Sequence, residues 1–216
     1  MAGRWVPATL GAVFWAASLS AAEGGARQQL DAFSSGLETL AADFSQQVVS
    51  RDGVVEDASE GRVWLARPNR FRWAYGGEFP ELVVADGEKI WMYDEALEQV
   101  TVRDQQAATV DSPLAVLMQP ALLEREFEVR EVGESDTMQL LELRARDAEA
   151  EFERLLLGLR DDMLEMLIVE DAFGLRTEFR FGSIERNPEL DPGLFRFTPP
   201  PGVDVIGGLP GPSEQR

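Results

Sequence analysis

The period of the apolar positions divides the chain into a short helical start and a long series of strands. Over residues 26–42, apolar residues recur at helical spacing, which predicts an amphipathic helix. From Asp43 onward the period changes to two, the period of strands with one buried face. The predicted strands, separated by Gly-, Asn-, Asp- and Pro-containing turns, cover residues 44–50, 60–66, 70–75, 81–85, 89–94, 98–103, 126–132, 137–145, 152–159, 164–170, 175–184 and 194–198.

A second helical region interrupts the strands. Ser112 can cap a helix that has Pro113 at its first position, and an apolar stripe follows. About eleven short antiparallel strands and few helices predict a mostly β (α+β) domain over residues 23–206. A single antiparallel sheet of this size curls, so we expect the short helices to cover its concave side. The Gly/Pro-rich residues 207–216 are expected to be a flexible tail.

Aromatic residues are concentrated in the hairpins between Gly61 and Val102. Phe71, Trp73 and Tyr75 occupy alternate positions and therefore share one face of the sheet. A face so rich in large rings covers either a protein core or an apolar ligand. Core packing is the usual role of such residues, and the pattern alone leaves both interpretations open.

The first 22 residues have the pattern of a signal peptide. Arg4 precedes a short apolar run over residues 6–19, and small residues at 20–22 predict cleavage before Glu23. The run is too short for a membrane span, so we expect an exported protein without stable membrane insertion.

Composition limits the cellular compartment and the classes of partner that we expect for the protein. The chain has no cysteine, which excludes disulfides and a lipid-modified N-terminus, and export without disulfides fits the periplasm. The net charge is −19, and removal of the signal peptide with its arginine makes it one charge more negative. Such a charge argues against nucleic acid and anionic bilayers as resting partners.

Several classes of catalytic chemistry are excluded. With no histidine and no cysteine, Ser-His-Asp, Cys-His and the usual zinc sites cannot form. The single lysine, Lys89, stands in a hairpin without a phosphate-binding loop. A carboxylate pair is the remaining acid–base option, and two carboxylates about 5–10 Å apart in a cleft would be its signature. We expect no enzyme, no cofactor and no metal.

Several separated segments resemble the LolA family of periplasmic lipoprotein carriers, in the same order. The segments are FSQ at 44–46, GRVWLARPNRFRW at 61–73, VADGEKIWMY at 84–93, LEQV at 97–100, SPL at 112–114 and FRFTPPPGV at 195–203. The resemblance covers residues 28–204. It implies an unclosed, eleven-stranded antiparallel barrel with a helical lid over an apolar cavity.

The resemblance also implies a function. It implies a monomeric chaperone that accepts triacylated lipoproteins from the inner-membrane transporter LolCDE and delivers them to the outer-membrane receptor LolB. LolB is anchored through a lipid-modified cysteine, which this chain lacks. Burying one 16-carbon acyl chain contributes on the order of 10 kcal/mol. A carrier must therefore also lower its affinity for the cargo in order to release it. A binder of free fatty acids or other lipids is the alternative.

Individual residues receive roles from the same resemblance. Arg67 is expected to latch the lid, because its guanidinium has five donors; the alternative is an ordinary surface arginine beside Pro68. Phe71 is expected near the cavity mouth and transporter contact, and Trp73 in the cavity. Further candidates for the cavity or its mouth are Phe44, Trp64, Trp91 and Tyr93. The candidate apolar face of the lid is Leu30, Phe33, Leu37, Leu114, Leu117 and Met118.

Overall fold

The computed structural model describes residues 25–105, 120–147, 150 and 152–207. Strands dominate this part of the chain. Its helices are α1 (Ala26–Ser34), α2 (Pro120–Glu126) and a 3-10 helix (Pro192–Phe195). Its strands are β1 (Thr39–Val49), β2 (Val55–Ala66), β3 (Arg70–Tyr75), β4 (Glu81–Ala85), β5 (Lys89–Asp94), β6 (Gln99–Asp104), β7 (Phe127–Ser135), β8 (Met138–Ala145), β9 (Arg154–Arg160), β10 (Met163–Glu170), β11 (Arg176–Arg186) and β12 (Asp204–Gly207).

The twelve strands form one open sheet, in the order β12-β6-β5-β4-β3-β2-β1-β11-β10-β9-β8-β7. Neighbouring strands are antiparallel except β12, which runs parallel to β6. The first strand, β1, pairs with both β2 and β11 and so joins an N-terminal half (β1–β6 and β12) to a C-terminal half (β7–β11). The prediction of a mostly β fold with an unclosed sheet is confirmed.

One face of the sheet, which we call the inner face, carries the main core. Leu65 pairs with Phe71 and Val63 with Trp73, so these four side chains lie on that face. Helix α1 packs across β8, β9 and β10, and its apolar residues belong to the same buried cluster as Phe71 and Trp73. Helix α1 therefore covers the inner face of the C-terminal half.

Helix α1 is shorter than predicted. It ends at Ser34, and Gly36 follows with φ of 62°, a left-handed conformation that costs little for glycine. Leu37 thus lies in a turn and Leu40 in β1, although both remain buried. The helical spacing of these leucines extended the predicted helix past its true end.

The predicted strand at 194–198 is wrong. Asp191 caps the 3-10 helix, and its carboxylate accepts a hydrogen bond from the Gly193 amide at 2.8 Å. The final strand is β12 instead, which makes the total twelve and includes Gly207, predicted as the first residue of the tail. The proposed signal peptide and residues 208–216 lie outside the described residues. None of the described helices has the length and apolarity needed to cross a membrane.

Candidate functional site

Five aromatic side chains form a contact network on the inner face, which we call the aromatic cluster. Its members are Phe44, Trp73, Tyr75, Phe179 and Phe181. The ring centroids of Phe44 and Trp73 lie 4.8 Å apart and those of Trp73 and Phe179 5.3 Å apart. The Phe44 ring meets Trp73 and Tyr75 edge-on, the arrangement that aromatic quadrupoles favour. The cluster joins β1, β3 and β11.

Gly61 makes room for this cluster. It lies between Phe44 on β1 and Tyr75 on β3, and it has no side chain to separate them. A Cβ atom at this position would approach the Phe44 Cζ atom to 2.8 Å and the Ala74 carbonyl oxygen to 2.1 Å. The glycine therefore allows the ring of Phe44 to lie close against the sheet.

Burial of the inner face decreases along the strands. Phe71 and Trp73 are only 6% and 7% exposed, whereas Tyr75, Val83 and Met92 are partly exposed. The more exposed residues lie towards the β1–β2, β3–β4 and β5–β6 turns, which we call the open end. An apolar ligand would reach the aromatic cluster most directly from this end.

Arg67 lies at the opposite end, in the β2–β3 turn. Its amide donates a hydrogen bond to the Glu38 carbonyl at 2.9 Å, and the Arg67–Pro68 peptide bond is cis. Its Nε atom is buried and, within the described residues, donates to no acceptor. A buried donor without an acceptor costs free energy, so this guanidinium is suited to gaining a partner.

A different arginine holds helix α1. Arg186 of β11 donates from Nη2 to the carbonyls of Ala32 and Ser35, at 3.3 and 3.0 Å. Its guanidinium also lies 5.7 Å from the centroid of the Phe33 ring. These carbonyls belong to the last turn of α1, where a cation is favourable. Arg186 was not predicted as a site residue, because no local sequence pattern links residues so far apart in the chain.

Comparison with known proteins identifies the family. Residues 35–198 match the family described as "Outer membrane lipoprotein carrier protein LolA". The chain belongs to the LolA family. An "Outer-membrane lipoprotein carrier protein" of Xanthomonas oryzae pv. oryzae is 44% identical over 190 residues, which cover 87% of this chain and 91% of that one. The Dechloromonas aromatica protein of the same name is 41% identical over 186 residues, covering 86% and 89%.

The same fold occurs in a distant solved structure. An uncharacterized conserved protein from Thermus thermophilus aligns with a TM-score of 0.51 and 17% identity, covering 84% of this chain and 98% of that one. At this identity the likeness concerns the fold alone. It places the open sheet of this LolA-family member among known architectures.

Hydrogen bonds and ion pairs fix both ends of helix α1 in this LolA-family chain. At its start the Arg27 amide donates to a carboxylate oxygen of Glu131 at 3.1 Å, and the Arg27 side chain forms ion pairs with Asp31 and Glu124. At its end Arg186 binds the last carbonyls. The predicted lid residues Leu30, Phe33 and Leu37 are fully buried, although Leu37 is outside the helix. The other three, Leu114, Leu117 and Met118, lie outside the described residues.

Three of the predicted cavity residues lie on the other face of the sheet, which we call the outer face. Trp64 is opposite Arg72, and Trp91 and Tyr93 pack against Phe197 with ring centroids 5.9 and 5.8 Å apart. Trp91 and Tyr93 thereby hold the segment around Phe197 against this face of the sheet. The structure brings together only Phe44, Phe71 and Trp73 of the predicted set, with Phe71 in the core rather than at an exposed mouth. Strand alternation pairs side chains correctly but does not say which face is inside.

A polar cleft of about 770 Å³ opens at the open end, between β2 and the β3–β4 turn. Tyr75 forms its boundary with the aromatic cluster, and its hydroxyl donates to Gln46 at 3.1 Å. Burial, with a smaller contribution from the Glu81 carboxylate, raises the pKa of Tyr75 to about 12. In the described part of the chain, no group of three or more acidic side chains is arranged to hold a metal ion.

Proposed function

We propose that this protein is a periplasmic chaperone that carries lipoproteins, with their acyl chains against the inner face of the half-barrel. Two facts support this: membership of the LolA family, and an apolar inner face under a helix in an unclosed sheet. The names of the curated relatives describe outer-membrane lipoprotein carriers. We infer a binding protein rather than an enzyme.

The single observation that carries the proposal is the shared core of α1 and the inner face. Leu30 and Phe33 are buried in the same cluster as Phe71 and Trp73. In our proposal the helix occupies part of the space that acyl chains take in the loaded protein. Because α1 and the acyl chains compete for the same apolar surface, burial of α1 would offset part of the roughly 10 kcal/mol that each 16-carbon chain contributes. Release then becomes possible without nucleotide.

We propose the partners that the family resemblance implies. The protein would receive triacylated lipoproteins from LolCDE and deliver them to LolB, as a monomer that does not insert into the membrane. Removing the acyl chains from the membrane costs the free energy of their burial there. Loading therefore needs an external source of free energy, which an ATP-driven transporter provides.

We propose that Arg67 latches the covering helices in the empty protein. Its buried Nε atom without an acceptor in the described residues supports this role, because donation to a helix-terminal carbonyl would satisfy it. Arg67→Leu should leave the fold intact but impair loading or release. Transfer at the wild-type rate by this variant would exclude the latch.

Radiolabelled lipoproteins in spheroplasts provide the test. The purified protein should release labelled lipoprotein into the supernatant as an intact one-to-one complex, only while the transporter hydrolyses ATP. Absence of release, with native mass spectrometry finding only free fatty acids bound, would instead support the lipid-binder alternative. Recovery of cleaved cargo would contradict a carrier without catalytic activity.

A further inference from the structure

Strand β2 extends beyond its neighbour β3. It pairs with β1 along its whole length, from Val55 to Ala66, but its pairing with β3 begins only at Gly61. The last bond across that edge runs from the Gly76 amide to the Glu60 carbonyl, at 2.9 Å. On that side of Val55–Ser59, no strand of the described chain is paired. The N–H and C=O groups of this edge are therefore open to an added strand.

The free edge forms one wall of the 770 Å³ cleft described above, which we now call the notch. Residues 57–60 line one side of the notch, and the β3–β4 turn lines the other. Phe79, in that turn, is 66% exposed, and Val55 at the start of the edge is 51% exposed. The notch therefore combines an unpaired strand edge with exposed apolar side chains, which together fit an extended polypeptide.

The charge of the notch indicates the character of that polypeptide. Four carboxylates line it: Asp57, Glu60, Glu78 and Glu81. None of the four forms an ion pair with any described residue. Such a group attracts lysine and arginine and repels acidic segments.

The notch continues from the inner face. Tyr75 contacts Phe44 in the aromatic cluster and also lines the notch, together with Gln46. A ligand with acyl chains on the cluster would therefore lead its attached polypeptide past Tyr75 and into the notch. Because the notch is continuous with the aromatic cluster, the cargo itself is favoured over a separate partner as the ligand of the notch.

We infer that the notch binds the segment of the cargo lipoprotein next to its acylated residue, as an extended basic strand added to the edge of β2. This inference rests on the proposed function and adds a preference for the cargo sequence. The carrier would then recognise the polypeptide of its cargo as well as the lipid.

Two synthetic tripalmitoylated peptides of equal length test the inference, one with lysines after the acylated residue and one with glutamates. The lysine peptide should bind about tenfold more tightly at low salt, because two or more charge pairs form in a partly enclosed site. Hydrogen exchange should slow at residues 55–59 only with the lysine peptide. The double variant Glu60→Gln/Glu78→Gln should lose most of the tenfold preference. The control Glu134→Gln/Glu189→Gln, with the same charge change on exposed residues elsewhere, should keep it.

The outcomes separate the inference from the proposed function. If neither lipopeptide binds, the proposed carrier function fails. If both bind equally and residues 55–59 gain no protection, the carrier function stands and the notch inference is overturned. Protection of residues 55–59 that depends on protein concentration without lipopeptide would also overturn it, because the edge would then pair with a second copy of the chain.

Discussion

The two halves of the sheet use their side chains differently. In the C-terminal half, leucines such as Leu141, Leu157 and Leu167 fill the inner face under α1, each at most 1% exposed. In the N-terminal half, the inner face carries larger rings and becomes more exposed towards the open end. The C-terminal half is thus packed as a scaffold for α1, whereas the N-terminal half keeps apolar surface near solvent.

Charges show the same contrast. On the outer face of the C-terminal half, Glu142 accepts from Arg144 at 3.0 Å and from Arg154 at 3.3 Å, and Arg154 also pairs with Glu170. The hydrogen bond from Arg144, followed by that from Arg154, outweighs burial and lowers the pKa of Glu142. The carboxylates of the notch have no such partners among the described residues. Paired charges suit a structural role, and unpaired ones suit the binding of a basic ligand.

The largest effect is expected in the scaffold core. Leu157→Ala should lower the free energy of unfolding by about 2–5 kcal/mol, because it leaves a cavity among packed leucines. Urea denaturation measures the change, with Leu97→Ala, at a position 68% exposed, as the control. If Leu157→Ala lowered the free energy of unfolding no more than Leu97→Ala, the C-terminal half would not be the tightly packed scaffold described above.

Glu142→Gln should cost about 1–3 kcal/mol at neutral pH, since Arg144 loses its charged partner and Arg154 loses one of its two. A carboxyl group whose folded pKa is lowered stabilises the fold above its unfolded pKa, and this contribution disappears as the pH falls through the folded pKa. The stability difference between wild type and variant should therefore shrink on acidification below about pH 4. Urea midpoints across that range test this, and a difference independent of pH would contradict the ion-pair account.

Arg186→Gln should cost about 1 kcal/mol, because the lost bonds lie near solvent. Its local effect should be clearer: the amides at the end of α1 should exchange hydrogen faster. The control is Arg180→Gln, an exposed arginine on the same strand. Equal exchange in the two variants would show that Arg186 does not hold the helix.

Tyr75→Phe should have the smallest effect, about 0.5 kcal/mol at neutral pH, for one hydrogen bond. The folded pKa of about 12 exceeds the ordinary value of 10, so stability due to Tyr75 is constant below pH 10 and falls between pH 10 and 12. Denaturation at about pH 9 and about pH 11 should show a smaller alkaline loss in the variant. An unchanged alkaline loss would place Tyr75 outside the buried cluster.

The sheet was predictable because strand alternation is a local signal. The bounds of β3, β4 and β5 were predicted as found, since Gly- and Pro-containing turns frame them. The segment around Phe195 and Phe197 alternates like a strand, but Pro192 starts a 3-10 helix there. The spacing of the apolar residues does not reveal that the Asp191 cap favours a 3-10 helix over a strand.

The candidate site was less predictable, because it depends on contacts between distant segments. Of the predicted cavity residues, Phe44 and Trp73 are in ring contact on the inner face, whereas Trp91 lies on the outer face, where Phe197 packs against it. The bonds of Arg186 to α1 join residues 151 and 154 positions apart. Such contacts follow from the order of the strands in the sheet, which a single sequence does not state.

Acyl chains are proposed to lie against the inner face of the sheet, in the buried cluster that Trp73 shares with α1. Trp73 on the inner face and Trp91 on the outer face offer matched probes, and the variants Trp64→Phe/Trp91→Phe and Trp64→Phe/Trp73→Phe isolate each one in the chain without residues 1–22. A lipopeptide with brominated acyl chains quenches tryptophan fluorescence on contact. We expect strong quenching of Trp73 and none of Trp91. Equal quenching of the two, or quenching of Trp91 alone, would contradict it.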